Sequence, residues 1–223
     1  MRPLIALFVL LAQVVLAGVA LAAPVAVDFT ALGPPTNDPP LTVDITTSVN
    51  TFGLTLDGVT FRYDDFGTGV DFGLVDPAGV FGTTGGGLFL DFGIPATALT
   101  LDFYLFDAFS ADGDGMPMLD ALAALFFRNG AFLDIVTVAA DFFAYDPATD
   151  PTLGSAFASL AYQGPAFDQA ALFFSLDAPI FTLDNVVYEP VPEPSTIALL
   201  TVGLVGLVGW QRKGRNRRPA VVP

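Results

Sequence analysis

The 223-residue chain contains no cysteine and no histidine, a single tryptophan, and only eight Lys and Arg residues against 23 acidic ones. Without cysteine there is no disulfide framework, no thiolate zinc site and no thiol nucleophile. Without histidine the commonest general base and the commonest metal ligand are both missing, which excludes Ser-His-Asp chemistry and histidine-bound zinc hydrolysis. A formal net charge of −15 and a pI near 4.1 exclude a nucleic-acid partner held by phosphate neutralisation. Glutamate is nearly absent too: apart from Glu189 and Glu193 every acid is an aspartate. What the chain does have is apolar bulk. It is 53% hydrophobic with 22 phenylalanines, far too apolar for a disordered acidic tail. The length allows one or two domains.

Charge divides the sequence into three parts. Arg2, Arg212, Lys213, Arg215, Arg217 and Arg218 lie at the ends, leaving only Arg62 and Arg128 between them. All 23 acids fall from Asp28 to Glu193, so that stretch carries a net −21. Segregation of this kind assigns different jobs to the ends and the middle.

The first 22 residues read as a signal peptide. Arg2 is the positive start, Leu4 to Leu16 is an apolar run broken only by Gln13, and Ala20-Leu21-Ala22 supplies the small residues needed at a cleavage site. Cleavage after Ala22 leaves Ala23 as the first mature residue. An uncleaved membrane anchor is the alternative.

The other end holds a proline-flanked acid, an apolar run and a basic cluster, in that order. Val191-Pro192-Glu193-Pro194-Ser195 leads into an uncharged stretch through Trp210, and Arg212, Lys213, Arg215, Arg217 and Arg218 follow. A helix over residues 196–210 would span about 22–24 Å at 1.5 Å per residue, somewhat short of the ~30 Å hydrocarbon core. Trp210 at the interface and snorkelling basic side chains make up part of the difference. The basic cluster is expected to stay cytoplasmic, acting as a stop-transfer signal. The two prolines hold Glu193 in an extended, accessible segment.

These residues resemble the PEP-CTERM sorting signal of Gram-negative bacteria, in which a Pro-Glu-Pro triplet precedes a short transmembrane helix and an Arg-rich end. The resemblance covers residues 192–218 and implies an exported protein, held at the inner membrane as a precursor. It implies recognition of Pro192, Glu193 and Pro194 by an exosortase, a membrane-embedded peptidase, and delivery to the cell surface or the extracellular matrix.

Residues 23–188 read as one all-β domain. Ten runs of strand length stand out: Val25–Leu32, Leu41–Val49, Gly58–Tyr63, Gly87–Phe92, Ala98–Phe106, Leu119–Arg128, Ala131–Ala139, Ala156–Tyr162, Ala170–Leu176 and Ile180–Tyr188. Leu99, Leu101, Phe103 and Leu105 share one face, and Thr100, Asp102 and Tyr104 the other, as a half-buried strand requires. Asn129-Gly130 between apolar runs predicts a two-residue hairpin. An antiparallel β-sandwich, most simply a jelly roll, accounts for short strands with turns every 8–15 residues. Alanine-rich Asp120–Phe127 is the one segment that could instead be a short helix. The Asp-Phe-Gly triplets at 65–67, 71–73 and 91–93 have no constant period and no accompanying kinase elements. The Gly82–Gly87 cluster reads as a flexible turn, since a domain at −21 repels phosphate.

Aspartate suits turns, caps and calcium. Ser110–Gly115, with Asp112 and Asp114, resembles the start of an EF-hand-type loop, but the twelfth position is Ala121 where a bidentate glutamate is needed. A solvated turn is the alternative there. Calcium-holding jelly-roll carbohydrate-binding modules bring their first and last strands together. Val27-Asp28-Phe29 and Leu183-Asp184-Asn185-Val186 resemble that pattern, which makes Asp28, Asp184 and Asn185 candidate calcium ligands; an Asx turn is again the alternative. A carboxylate hydrolase has no pair singled out by spacing, and neither glutamate is well placed to act as acid or base. A polysaccharide-binding face would need exposed aromatics, for which Tyr63, Tyr104, Tyr145, Tyr162 and Phe66 are the candidates. The expectation is therefore a non-enzymatic exported protein, with a calcium-assisted polysaccharide-binding module as the alternative.

Overall fold

The computed structural model describes residues 22–33, 42–47, 52–113 and 115–191. The expected signal peptide up to residue 21, the Pro-Glu-Pro triplet, the membrane helix and the basic cluster all lie outside the described residues. Among those described, no helix is long and apolar enough to cross a membrane.

The described chain is all-β and antiparallel. Its strands are β1 (Val25–Ala26), β2 (Val43–Asp44), β3 (Leu54–Leu56), β4 (Val59–Asp64), β5 (Gly73–Asp76) and β6 (Gly79–Thr83). Then come β7 (Gly87–Phe109), β8 (Met118–Arg128), β9 (Ala131–Asp146), β10 (Asp150–Phe174) and β11 (Ile180–Pro190). The one helical element among the described residues is a 3₁₀ turn over Phe29–Leu32, capped by the Asp28 side chain accepting from the Thr30 backbone N–H at 3.0 Å. The run expected as a strand from Val25 to Leu32 is thus a two-residue strand followed by this turn. The short-helix reading of Asp120–Phe127 is corrected to strand. Leu122, Ala124 and Phe126 are buried and alternate with more exposed neighbours, and β9 pairs along β8.

β7 and β10 organise the domain. Gly87–Phe92 and Ala98–Phe106, expected as separate strands, are two halves of β7, and β10 likewise joins Ala156–Tyr162 to Ala170–Phe174. The gaps between those runs, residues 93–97 and 163–169, are irregularities within the strands, with register shifts between Gln163 and Phe167 and again between Phe167 and Gln169. Bulges of this kind bend a strand without ending it. Each long strand therefore has different neighbours along its length. The first half of β7 lies between β4 and the second half of β10, which in turn pairs β8. The second half of β7 lies between β11 and the first half of β10, which in turn pairs the end of β9.

The inner faces of these two groups meet in the core. Leu99, Leu101, Phe103 and Leu105 are each at most 1% exposed, as their alternation predicts. Phe126 on β8 stacks on Tyr162 of β10 at 3.6 Å, Phe174 on Phe181 at 4.1 Å, and Phe92 meets Tyr188 at 5.2 Å. Aromatic pairs such as these add about 0.5–1.5 kcal/mol beyond the area they bury. The hairpin between β8 and β9 follows its sequence signal: Asn129 and Gly130 have φ of +50° and +74°, and Arg128 pairs with Ala131.

The Gly82–Gly87 cluster is a site of close approach. A Cβ on Gly86 would collide with the Tyr63 ring hydroxyl and the Asp64 carbonyl, and one on Gly85 would collide with the Asp71 carboxylate. Tyr63 is fully buried and donates its hydroxyl to the Thr83 carbonyl at 2.7 Å. Glycine is needed here to let backbone and side chain pack.

Candidate functional site

The outward-facing residues of β5, β6, β11, β7, β10 and β9 form a row whose members are register partners: Leu74, Phe81, Thr182, Tyr104, Phe157 and Asp141. Alternation dictates this row, since the neighbouring Val75, Val80, Leu183, Phe103 and Ala156 point into the core. Tyr104 is 43% exposed, unusual for an aromatic in a strand flanked on both sides. Its ring is held by Phe157 at 4.6 Å and Phe106 at 6.5 Å. Thr182 separates Phe81 from Tyr104 by two strand spacings, about 9–10 Å. The result is a groove of about 370 Å³ with Phe81 on one wall, Tyr104 and Phe106 on the other, and Ile180 and Thr182 between.

A polar row runs beside the aromatic one. Asp184, Asp102 and Ser159 are register partners on β11, β7 and β10. Asp102 accepts from the Asn185 side-chain amide at 2.9 Å through Oδ2 and from the Ser159 hydroxyl through Oδ1. Asp184 accepts from the Asn185 backbone N–H at 2.6 Å. Asn185 sits at φ +52°, beside the register shift between Asp184 and Val187. Apolar faces next to fixed acceptors are what a surface needs to hold an amphipathic ligand by stacking and hydrogen bonding.

The residues singled out in the sequence fall in several places. Tyr104 is on the groove. Tyr63 and Tyr162 are core residues, which corrects their candidacy for stacking on a ligand; burial is the first cause raising the pKa of each above 10.0. Tyr145 is exposed and its hydroxyl accepts from the Asp107 backbone N–H at 3.1 Å, while exposed Phe66 stacks on Phe173 at 6.2 Å. Both lie away from the groove lining.

The first and last strands do come together, with Val25 opposite Tyr188 and Ala26 opposite Val187. Yet Asp28 turns to other partners: its carboxylate bonds Thr30 and its backbone N–H donates to Asp57 Oδ2 at 2.7 Å. Asp112 lines a shallow cleft with Asp120 and Asp177, and Asp114 lies outside the described residues. Calcium takes about six to eight oxygen ligands. Among the described residues no three acidic side chains converge in a way that could hold a metal.

Phe81 and Phe157 escape a reading of the sequence alone, because a single strand's alternation does not reveal its neighbours. Period two did place Asp102 and Tyr104 on one outward face, and Phe106 continues it.

The described chain is thus an all-β antiparallel domain with an aromatic groove, and β11 leads straight into a sorting tail. That tail is a PEP-CTERM protein-sorting motif, matched over residues 190–213. Comparison with curated protein sequences gives no match. Among solved structures, a mutant of a family 29 carbohydrate-binding module covers 75% of this chain and 85% of its own, at 11% identity and a TM-score of 0.30. The Agl-KA catalytic domain matches at 15% identity and a TM-score of 0.31, covering 69% of this chain and 28% of its own. The carbohydrate-binding and catalytic modules of a Clostridium thermocellum xylanase, complexed with xylohexaose, match at 11% identity and 0.30, covering 61% and 27%. Overlaps this loose carry no weight for fold or ligand.

Proposed function

We propose that the chain is an exported protein sorted through its C-terminal tail by an exosortase, and that its acidic β-domain works at the cell surface or in the extracellular matrix without catalysing a reaction. The motif at residues 190–213 carries this reading, because it begins where β11 ends at Pro190. The signal-peptide features of residues 1–22 fit the same route. We read the domain as a β-sandwich of the jelly-roll kind. The exchange of neighbours along β7 and β10 and the facing aromatic pairs support that reading. Intact-mass analysis of the protein from its host tests the sorting: the expected chain lacks Arg212–Arg218, and a surface chain that retains them would overturn it.

A second reading is favoured by one observation, the outward-facing row of half-buried Phe81 and Phe157 with exposed Tyr104 between them, beside Asp184, Asp102 and Ser159. This arrangement suits a polysaccharide, whose rings offer C–H faces to aromatics and hydroxyls to fixed acceptors. Binding of the full-length chain to a panel of glycans tests it, and absence of binding to every member would refute it. Asp→Asn variants in a glycan-release assay separate it from a hydrolase.

A further inference from the structure

The groove between Phe81 and Tyr104 is acidic at its end as well as aromatic along its walls. Asp184 and Asp76 both line it. A backbone N–H fixes each carboxylate: Asn185 N–H on Asp184 at 2.6 Å, and Ala78 N–H on Asp76 at 2.8 Å. No basic side chain lines the groove. The two basic residues among those described lie beside aspartates elsewhere, Arg62 with Asp91 at 2.6 Å and Arg128 with Asp168 at 3.9 Å. An aromatic wall and two oriented carboxylates, with no basic side chain among the lining residues, leave the negative charge of the groove without a counter-charge from its own walls.

Building on the polysaccharide reading above, we infer that the groove binds a glycan carrying free amines, an amino-sugar polymer, in preference to neutral or anionic glycans. Three features point the same way. Ring faces attract ammonium groups as well as sugar C–H faces, so Tyr104, Phe106 and Phe81 serve both parts of such a residue. Asp184 and Asp76 supply the counter-charges for ammonium hydrogen bonds. The stretch from Asp28 to Glu193, at −21, draws in polycations and repels uronate, sulfate and phosphate groups at a distance.

The size of the groove favours this occupant over a folded protein. Stable protein interfaces bury about 800 Å² on each partner, whereas a groove of about 370 Å³ takes a few sugar rings. A lipid chain would gain nothing from the two carboxylates and would leave them desolvated.

The test is calorimetric titration of the full-length chain in detergent with oligo-glucosamine and with its fully N-acetylated counterpart. The expected result is binding of oligo-glucosamine at least about tenfold tighter than the acetylated form, weakening as salt is raised. Asp184→Asn and Tyr104→Ala are each expected to weaken it by about tenfold, with Tyr104→Phe close to the parent. Thermal unfolding of each variant confirms that the domain is intact. Equal binding of the two oligomers would overturn the preference for amines. Oligo-glucosamine binding unchanged in both Asp184→Asn and Tyr104→Ala would overturn the groove while leaving a glycan-binding domain. Poly-lysine that binds as tightly and competes would show a site for positive charge alone. Absence of binding to any glycan would remove the polysaccharide reading along with this one.

Discussion

Asn185 on β11 holds Asp102 on β7 through an amide–carboxylate hydrogen bond of 2.9 Å, and does so from a backbone at φ +52°. Two demands meet in one residue: a left-handed conformation that few side chains tolerate, and a donor aimed across the ladder. Asparagine satisfies both.

Replacing it separates the two demands. Asn185→Ala is expected to cost about 1–3 kcal/mol, from backbone strain together with the lost bond to a charged acceptor. Asn185→Gly keeps the backbone at ease and is expected to cost about 1 kcal/mol or less. Urea unfolding of the three proteins gives the comparison. Equal stability of Asn185→Ala and the parent would show that neither demand matters.

Glycines with different surroundings make a second contrast. Gly86→Ala forces a Cβ into the Tyr63 hydroxyl and the Asp64 carbonyl, whereas Gly67, at φ +78°, has nothing within 4 Å of the same position. Gly67→Ala is expected to cost about 1–2 kcal/mol from conformation alone. Gly86→Ala is expected to cost more than that, or to prevent folding, because the atoms it meets are backbone and a buried ring. Melting temperatures measured by circular dichroism rank the two.

At alkaline pH the buried tyrosines set the limit. Burial is the leading cause that raises Tyr63, Tyr162 and Tyr188 above 10.0, and aspartate charges add to it, Asp57 in the case of Tyr188. A pKa raised in the folded state means that the unfolded chain releases its protons first. Stability is therefore level below pH 10.0 on this account and falls as pH rises from there through the raised native values. In an ultraviolet titration a tyrosinate fraction is expected to appear only together with loss of the native fold. Its appearance in a still-folded protein, assigned to these three residues, would contradict the burial described.

At acid pH the loop between β9 and β10 behaves in the opposite sense. The Thr149 hydroxyl on Asp146 and the Thr152 hydroxyl on Asp150 are the leading causes that hold each carboxyl below 3.8. A lowered native pKa contributes stability that is present above the ordinary value and lost as pH falls through the native one. Thr149→Val is expected to return the Asp146 pKa toward 3.8 in an NMR titration while leaving Asp150 where it was. An unmoved Asp146 would assign the shift to the backbone donors of Ala148 and Thr149 instead.

Much of the architecture was legible because alternation is a local property. The buried face of Leu99, Leu101, Phe103 and Leu105, the Asn129-Gly130 hairpin and the last strand up to Tyr188 all follow from neighbours in sequence. Two things were not legible. Pro95 and Gly164-Pro165 look like terminators, yet the chain passes through them as bends, since a missing N–H is harmless where the ladder is already shifting register. β5 and β6 fall among so many glycines and aspartates that their pairing emerges only in the folded sheet. For the site, Tyr104 and Asp102 could be placed on an outward face, but Phe81 and Phe157 join them through pairings between residues far apart in sequence.

β11 is not an edge. One flank is zipped to β7 from Ile180 to Pro190, and the other to β6 and then to β1. From its C-terminal end β11 is held first by β7 alone, at Glu189 and Pro190, and then by β7 and β1 together at Val187 and Tyr188. Freeing the strand means breaking bonds on both flanks, at Val187–Tyr188 and again at Ile180–Leu183. For a protein tethered by that tail, the strand is a mechanical root set between two walls, and a tug that would strip an edge strand is shared across the middle of the sheet.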